Sequence, residues 1–259
     1  MANESRGPVL LPLLLVVVGV LLLLHNFLLL GDFNVVELLP LVLVVIGAQV
    51  LLRGDIFAGG VKTFGITRGS VESGTLEISA AEIDVDMRAL QREGRLIAGQ
   101  FAAESRPQLQ VDGNHATLRF LRSDTPWYAF ADWQIALARD LPWQIFISTH
   151  LGQVNADFAG LIMQEALIAT GLGDIRLVCP QEALGTIQVR SALGTIHIVT
   201  PPGYASRIMA KNTRTFGVKF DETRYDQVEA GVYEALDADD DAPLIKIQIS
   251  GTFGDAYLA

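Results

Sequence analysis

Cysteine and positive charge are both scarce in this chain. Its 259 residues include one cysteine, so an intrachain disulfide and a metal site built from several thiolates are excluded. The formal net charge at pH 7 is -10. An acidic protein repels the phosphate backbones of DNA and RNA, so we expect no nucleic-acid partner.

The sequence also lacks the motifs that carry catalysis. It contains no Gly-x-Ser-x-Gly, no His-Glu-x-x-His and no phosphate-binding glycine-rich loop followed by a helix. The 4 histidines do not have the spacing of metal ligands. We therefore predict a protein that is not an enzyme, with no catalytic residue, cofactor or metal site.

Two long apolar runs are present near the N-terminus, at residues 9–30 and 35–52. The first would rise about 33 Å as a helix, enough to cross a hydrocarbon core of about 30 Å. Gly31-Asp32-Phe33-Asn34 is the short turn between them. These runs predict a transmembrane helical hairpin within residues 1–55, followed by a separate domain at 56–259. Buried helices of a soluble bundle are the alternative, but a continuous apolar surface leaves no polar face for water.

The few charges around the hairpin predict its orientation. Arg6 and Arg53 flank its open side, whereas the turn carries Asp32 and no lysine or arginine. The positive-inside rule then places both chain ends in the cytoplasm. We expect a multi-pass protein of the cell membrane, in contact with the bilayer, whose second domain is cytoplasmic.

After Arg53 the hydrophobic pattern changes to a period of two. Stretches such as Ile83-Asp84-Val85-Asp86-Met87 alternate apolar and polar side chains, which is typical of strands with one buried face. No convincing amphipathic helix is found between residues 54 and 259. The pattern predicts an all-β domain.

An internal repeat refines this prediction. A Leu-Gly pair recurs every 21 residues, beginning at Leu151, Leu172 and Leu193, and each pair precedes a strand. The aligned apolar positions are Val154, Ile175 and Ile196 in the first strand of each repeat, and Ala166/Ile168, Ile187/Val189 and Ile208/Ala210 in the second. A unit this short cannot bury its own apolar face, so the repeat predicts a stacked-coil β-solenoid with rungs of about 21 residues. An antiparallel sandwich with coincidental spacing is the alternative.

Residues between the buried positions define a candidate interaction surface. Asn155, Arg176 and His197 share one repeat position, and Asp174 and Thr195 share another. We expect both sets to form outward ladders. Trp127, Trp133 and Trp143 could line a groove, although a packed core is favoured, and a buried, inert thiol is favoured for Cys179.

The segment from Pro8 to Arg53 also resembles a known hairpin. An apolar run ending in Leu-Leu-His-Asn, a Gly-Asp-Phe turn and Leu-Leu-Pro-Leu-Val-Leu-Val-Val-Ile-Gly before Leu-Leu-Arg are similar to the hairpin of bacterial LiaI- and LiaF-like proteins. The remainder resembles the toast-rack β domain of cell-envelope stress proteins, most closely at Asp157-Phe158-Ala159-Gly160-Leu161 and Gly171-Leu172-Gly173-Asp174-Ile175. The resemblance implies a membrane regulator that restrains a sensor kinase, and it implies no catalytic residues.

Three functions remain open. The first is a membrane-anchored, non-enzymatic regulatory or scaffolding protein of the envelope stress response, whose solenoid surface binds a protein partner such as a sensor kinase. The second is a structural protein that self-assembles through open coil ends. The third is a β-solenoid carbohydrate-active enzyme, which would need paired carboxylates about 5–10 Å apart. Asp84 and Asp86 lie on one strand, and no second acidic ladder completes such a site.

Overall fold

Alternating apolar and polar residues form strands throughout the part of the chain that the structure describes. The computed structural model describes residues 61–91, 94–102, 107–121, 132–211 and 213–259, all within the unit Gly59–Ala259. Every regular element among them is a strand, which confirms the predicted all-β class. None of the described residues forms a helix that could span a membrane. The predicted hairpin, at 9–30 and 35–52, lies outside the described residues.

Nineteen strands make up the described domain. They are β1 Val61–Thr67, β2 Ser73–Glu82, β3 Asp84–Ala89, β4 Arg95–Ala102, β5 Gln108–Asp112, β6 His115–Leu121, β7 Asp132–Leu137, β8 Pro142–Leu151, β9 Val154–Asp157, β10 Ile162–Leu172, β11 Ile175–Val178, β12 Glu182–Ala183, β13 Ile187–Leu193, β14 Ile196–Val199, β15 Ser206–Lys211, β16 Phe216–Phe220, β17 Tyr225–Glu229, β18 Val232–Ala235 and β19 Ile245–Leu258.

These strands form two sheets that share β19. The first sheet has the order β1-β4-β7-β3-β9-β11-β14-β19-β16. The second has the order β5-β6-β2-β8-β10-β13-β19-β15-β18-β17, with β12 beside the start of β10. The central strands of both sheets are parallel, whereas β1, β4, β5, β17 and β18 form antiparallel pairs toward the ends. We call a strand of the second sheet, together with the first-sheet strand that follows it, a coil.

The predicted register of the central repeats is confirmed. Ile175 pairs directly with Val154 on one side and with Ile196 on the other. In the second sheet Ala166 pairs with Ile187, and Ile168 pairs with Val189. All of these side chains are buried. The 21-residue spacing therefore places one coil directly on the next from β8 to β14, so the central residues do not form an antiparallel sandwich.

The order of the coils differs from the order of the sequence at one end of the repeats. Ile208 does not lie directly on Ile187, because Ile247 of the final strand pairs with both of them. In the same way, Ile249 separates Ala210 from Val189. Ile208 and Ala210 therefore lie in the predicted columns with Ile187 and Val189, but they do not pair with those residues directly. A strand with the same alternation can enter the stack wherever its side chains fit, whatever its place in the sequence.

At the other end of the stack, the order of the strands also differs from their order in the sequence. β3 lies between β7 and β9, although β7 follows it in the chain. Val85, rather than Ile83, occupies the layer of Val154 and Ile175. Ile83-Asp84-Val85 is similar in sequence to Ile175-Arg176-Leu177, but its alignment in the structure is displaced by two residues. Such a displacement preserves which side chains are buried, so the apolar pattern alone does not distinguish the two alignments.

Stacking produces continuous columns of apolar side chains between the sheets. In the first sheet one column runs through Trp133, Val85, Val154, Ile175, Ile196, Ala256 and Val218. In the second sheet one runs through Leu118, Leu76, Ile145, Ala166, Ile187, Ile247 and Ile208. Burial of these columns supplies most of the driving force for folding, because apolar area removed from water stabilises by about 25 cal/mol per Å².

Two tryptophans and the cysteine belong to this core. Trp133 and Trp143 are buried, and Trp143 Nε1 donates a hydrogen bond to the Ala138 carbonyl at 2.8 Å. The packed-core interpretation is therefore confirmed for both, while Trp127 lies outside the described residues. Cys179 is buried beside Thr200, and burial raises the pKa of its thiol to about 12. The thiolate, which is the reactive form, is therefore strongly disfavoured at neutral pH.

Glycine is required at four of the corners where the chain turns from the second sheet to the first. Gly152, Gly173, Gly194 and Gly254 all have φ between +126° and +151°. A Cβ on Gly173 would lie 1.9 Å from the carbonyl oxygen of Gly152, and one on Gly194 would lie 2.1 Å from that of Gly173. The recurring Leu-Gly pair thus reflects a column of glycines whose main chains are too close for a side chain.

Candidate functional site

The outer face of the first sheet brings the predicted surface residues together. Arg176 pairs with Asn155 on one side and with His197 on the other. Neighbouring coils extend this row in both directions. We name the row the polar ladder; its members are Asp86, Asn155, Arg176, His197, Tyr257 and Lys219. Because it crosses six strands in register, its side chains stand at regular intervals along the stack.

Side-chain contacts order both ends of the polar ladder. At one end Asn155 Nδ2 donates to Asp86 Oδ2 at 3.0 Å. At the other, the His197 ring stacks on the Tyr257 ring, with centroids 5.1 Å apart and planes inclined by 12°. Lys219 Nζ donates to the Tyr257 hydroxyl at 3.1 Å. These contacts hold the side chains in place before any partner binds, which lowers the entropic cost of association.

Asp174 and Thr195 lie at the coil corner beside the polar ladder. Asp174 Oδ1 accepts a hydrogen bond from the Thr195 main-chain N–H at 2.7 Å. The same contact recurs between Asp84 Oδ1 and the Gln153 N–H, at 2.6 Å. These two carboxylates satisfy main-chain donors between coils, so Asp174 has a structural role in addition to its exposed position.

Charge changes sign along the polar ladder. Asp86 lies at one end, whereas Arg176 lies near the middle and Lys219 lies at the other end. A hydrogen bond from the Lys219 ammonium to Asp255, with a second to Tyr257, raises the pKa of Lys219. This lysine therefore remains charged at neutral pH. Within the described ranges Arg176 has no ion-pair partner, so its guanidinium is available to an external group.

Sequence reasoning missed the two members of the ladder that come from the C-terminal part of the chain. Tyr257 and Lys219 lie on β19 and β16, which do not follow the 21-residue spacing. A signal for the first was present, because Phe253-Gly254-Asp255 repeats the pattern of Leu172-Gly173-Asp174. The same corner residues predict the same corner geometry, even far away in the chain.

An apolar ridge runs along the coil corner next to the polar ladder. Leu172 pairs with Leu151 and Leu193, and Leu193 pairs with Phe253. Their exposed fractions are 37% for Leu151, 48% for Leu172, 51% for Leu193 and 52% for Phe253. Half-exposed apolar side chains beside ordered polar groups are the combination found at protein interfaces. Among the described residues, no group of histidine, cysteine or acidic side chains could hold a metal ion.

Comparisons with known proteins support the fold. No family model matches the chain, and no curated protein matches it. A Clostridium sporogenes protein described as a "putative cell adhesion protein" has a similar structure, with a TM-score of 0.63 and 14% identity over 76% of this chain and 97% of that one. A Bacteroides fragilis protein described as a "putative adhesin" matches with a TM-score of 0.30 and 10% identity over 78% and 98% of the two chains. The first likeness shows a shared fold; the second carries no weight.

Proposed function

We propose that this protein is a membrane-anchored, non-enzymatic regulatory or scaffolding protein that binds a protein partner through the polar ladder and the adjoining apolar ridge. The observation that carries the proposal is the ordered stacking of His197 on Tyr257 beside Arg176, which has no ion-pair partner among the described residues. Tyrosine and arginine are the residue types that most often dominate binding energy at interfaces. A stack of parallel strands presents such groups on a flat, rigid surface.

The sequence supports the proposed location of the protein and its proposed role. The two apolar runs at residues 9–30 and 35–52 would hold the domain at the cell membrane, with Arg6 and Arg53 on the cytoplasmic side. The resemblance to LiaI- and LiaF-like hairpins and to toast-rack domains favours a role in the envelope stress response, with a sensor kinase as the candidate partner. A binding role is also consistent with the neighbour from Clostridium sporogenes, whose description names cell adhesion.

Crosslinking in native membranes tests the proposal. The double variant Arg176→Ala/His197→Ala removes one cation and one ring from the polar ladder. We expect mass spectrometry to find crosslinks from the wild-type chain to a second protein, and roughly tenfold fewer from the variant, because a pair of interface hot spots contributes at least this much to affinity.

The matched control is Arg190→Ala/Gln248→Ala, which removes one cation and one neutral side chain from the outer face of the second sheet. The control should retain the crosslinks. If both double variants lose the partner equally, or if the wild-type chain crosslinks only to itself, binding through the polar ladder is refuted.

One feature favours self-assembly as the alternative. β5 lies at the edge of the second sheet, and within the described part of the chain it pairs only with β6. It exposes 41% of Leu109 and 51% of Val111. An unpaired apolar edge can add a strand from another molecule. This alternative predicts self-crosslinks at β5 and oligomers that grow with concentration.

A further inference from the structure

Arginines line a groove on the outer face of the first sheet, close to β1. Three neighbouring cavities make up this groove, and the two larger ones have volumes of about 250 and 390 Å³. Arg88 and Arg95 both line the cavity of about 250 Å³, and Arg95 also lines the one of about 390 Å³. Arg68 and Arg139 complete the positively charged lining. The groove contrasts with the net charge of -10 for the whole chain.

Small residues make room for the groove. Gly65 pairs with Ala98, Ala98 pairs with Ala136, and Ala136 pairs with Arg88. The first three residues of this row have small side chains or none, and only Arg88 has a long one. The Arg95 guanidinium extends over the other end of this row, because a Cβ on Gly65 would lie 3.0 Å from Arg95 Nη1. The two guanidinium groups therefore lie on either side of a shallow floor.

Most of the positive charge in the groove is uncompensated. Arg68 forms an ion pair with Asp140, the acidic residue that lines the cavity of about 390 Å³. No ion pair to Arg88, Arg95 or Arg139 forms within the described residues. The nearest acidic group on β3 is Asp86, which accepts a hydrogen bond from Asn155 on the side away from the groove. Arg88 and Arg95 thus face one cavity, and Arg95 and Arg139 face the other, with no partner carboxylate among the described residues.

We propose that this groove is a binding site for a phosphate group. Arginine guanidinium groups bind phosphate oxygens in a bidentate, charge-assisted way, and two of them can share one phosphate. Gln100 and Gln134 also line the cavity, and their amide groups can donate hydrogen bonds to further oxygens. A carboxylate offers two oxygens, whereas a phosphate offers enough acceptors for all four side chains.

The phosphate could belong to a free anion or to a lipid headgroup. Thr63 of β1 lines the groove, and only ten residues separate it from Leu52 at the end of the second apolar run. A membrane span at residues 35–52, as proposed above, would thus make phosphate headgroups a candidate source close in sequence to the groove. The site does not depend on the partner surface, because the polar ladder and the groove use different arginines.

Isothermal titration calorimetry on the full chain in an uncharged maltoside detergent tests the proposal. One arm uses inorganic phosphate and the other uses glycerophosphoglycerol, the water-soluble headgroup of phosphatidylglycerol, both at fixed low ionic strength. We expect saturable binding of at least one probe. The double variant Arg88→Gln/Arg95→Gln should weaken that binding about tenfold or more, since each lost charge-assisted contact costs roughly a factor of ten.

Two further variants distinguish binding at the groove from nonspecific attraction of an anion to positive charge. Arg190→Gln/Arg214→Gln removes the same charge elsewhere on the domain, and binding should change less than about twofold. Ala136→Leu fills the floor without changing charge, and it should weaken binding while the melting temperature shows that the chain stays folded. Tighter binding of inorganic phosphate identifies a free anion, and tighter binding of glycerophosphoglycerol identifies a lipid headgroup. Absence of binding by both probes, or equal weakening in the control pair, overturns the proposal.

Discussion

The Gly173→Ala variant is expected to lose roughly 4 kcal/mol of folding stability, the largest effect predicted for a single methyl group in this domain. The added Cβ would lie 1.9 Å from the Gly152 carbonyl oxygen, and φ at this position is +148°. The neighbouring main chain is fixed by its own hydrogen bonds, since Gly152 N–H donates to the Leu172 carbonyl at 3.0 Å. The clash can therefore be relieved only by separating two coils.

Thermal unfolding of the full chain, followed by circular dichroism in the β region, measures this effect. For a domain of this size we expect the melting temperature to fall by about 10 °C. The matched control is Gly113→Ala, where φ is +61° but no atom lies within 4 Å of the added Cβ. The control should cost only about 1 kcal/mol of backbone strain. Equal losses for both variants would contradict close packing at the glycine corners.

The Ile247→Ala variant is expected to lose about 3–4 kcal/mol of stability. Ile247 is fully buried, and it lies in the final strand between Ile187 and Ile208. Removing its side chain leaves a cavity covered on both sides by other coils, where little relaxation is possible. At the open end of a stack built in sequence order, the same residue would be covered on one side only, and the loss would be smaller.

The exposed neighbour Gln248 provides the control for that variant. Its side chain points away from the core on the same strand, so Gln248→Ala should change the free energy of unfolding by less than about 0.5 kcal/mol. Urea denaturation of both full-length variants gives the comparison. A loss below about 1.5 kcal/mol for Ile247→Ala would mean that the final strand does not lie inside the stack.

The sequence predicts the centre of this fold well, for an identifiable physical reason. From β8 to β14 each coil differs from the next by the same 21 residues, so Val154, Ile175 and Ile196 fall in one column. The Leu-Gly pairs mark the corners, because the adjacent main chains leave no room for a side chain. The ladder of Asn155, Arg176 and His197 follows from the same register.

The ends of the stack could not be predicted from the spacing. Strands β3 and β19 enter the stack out of sequence order, and loop lengths between them and their neighbours vary, so no constant offset marks their place. A displacement of Val85 by two residues leaves the alternation of buried and exposed side chains unchanged, so the sequence pattern does not reveal it. The order of the strands in the stack must be known to predict that Tyr257 lies beside His197. The same is true of Arg88 and Arg95, which line one cavity.

The position of the final strand therefore matters for both surfaces proposed to bind ligands. Through Tyr257, β19 extends the polar ladder that begins with Asp86, and through Phe253 it extends the apolar ridge. At the opposite end, the place of β3 beside β7 brings Arg88 to Ala136 and closes the groove. Both proposed binding surfaces thus include residues from regions where chain order and spatial order differ.

Disulfide crosslinking of engineered cysteine pairs tests this order of coils most directly. Gln188 is paired with Gln248, and Gln248 with Met209, so Gln188 and Met209 are two strands apart. Adjacent strands lie about 5 Å apart, within disulfide range, whereas a separation of about 10 Å cannot be bridged. We expect Gln188→Cys/Gln248→Cys to form a disulfide under mild oxidation and Gln188→Cys/Met209→Cys to remain reduced. Stacking in sequence order would give the opposite result, since Gln188 and Met209 are 21 residues apart.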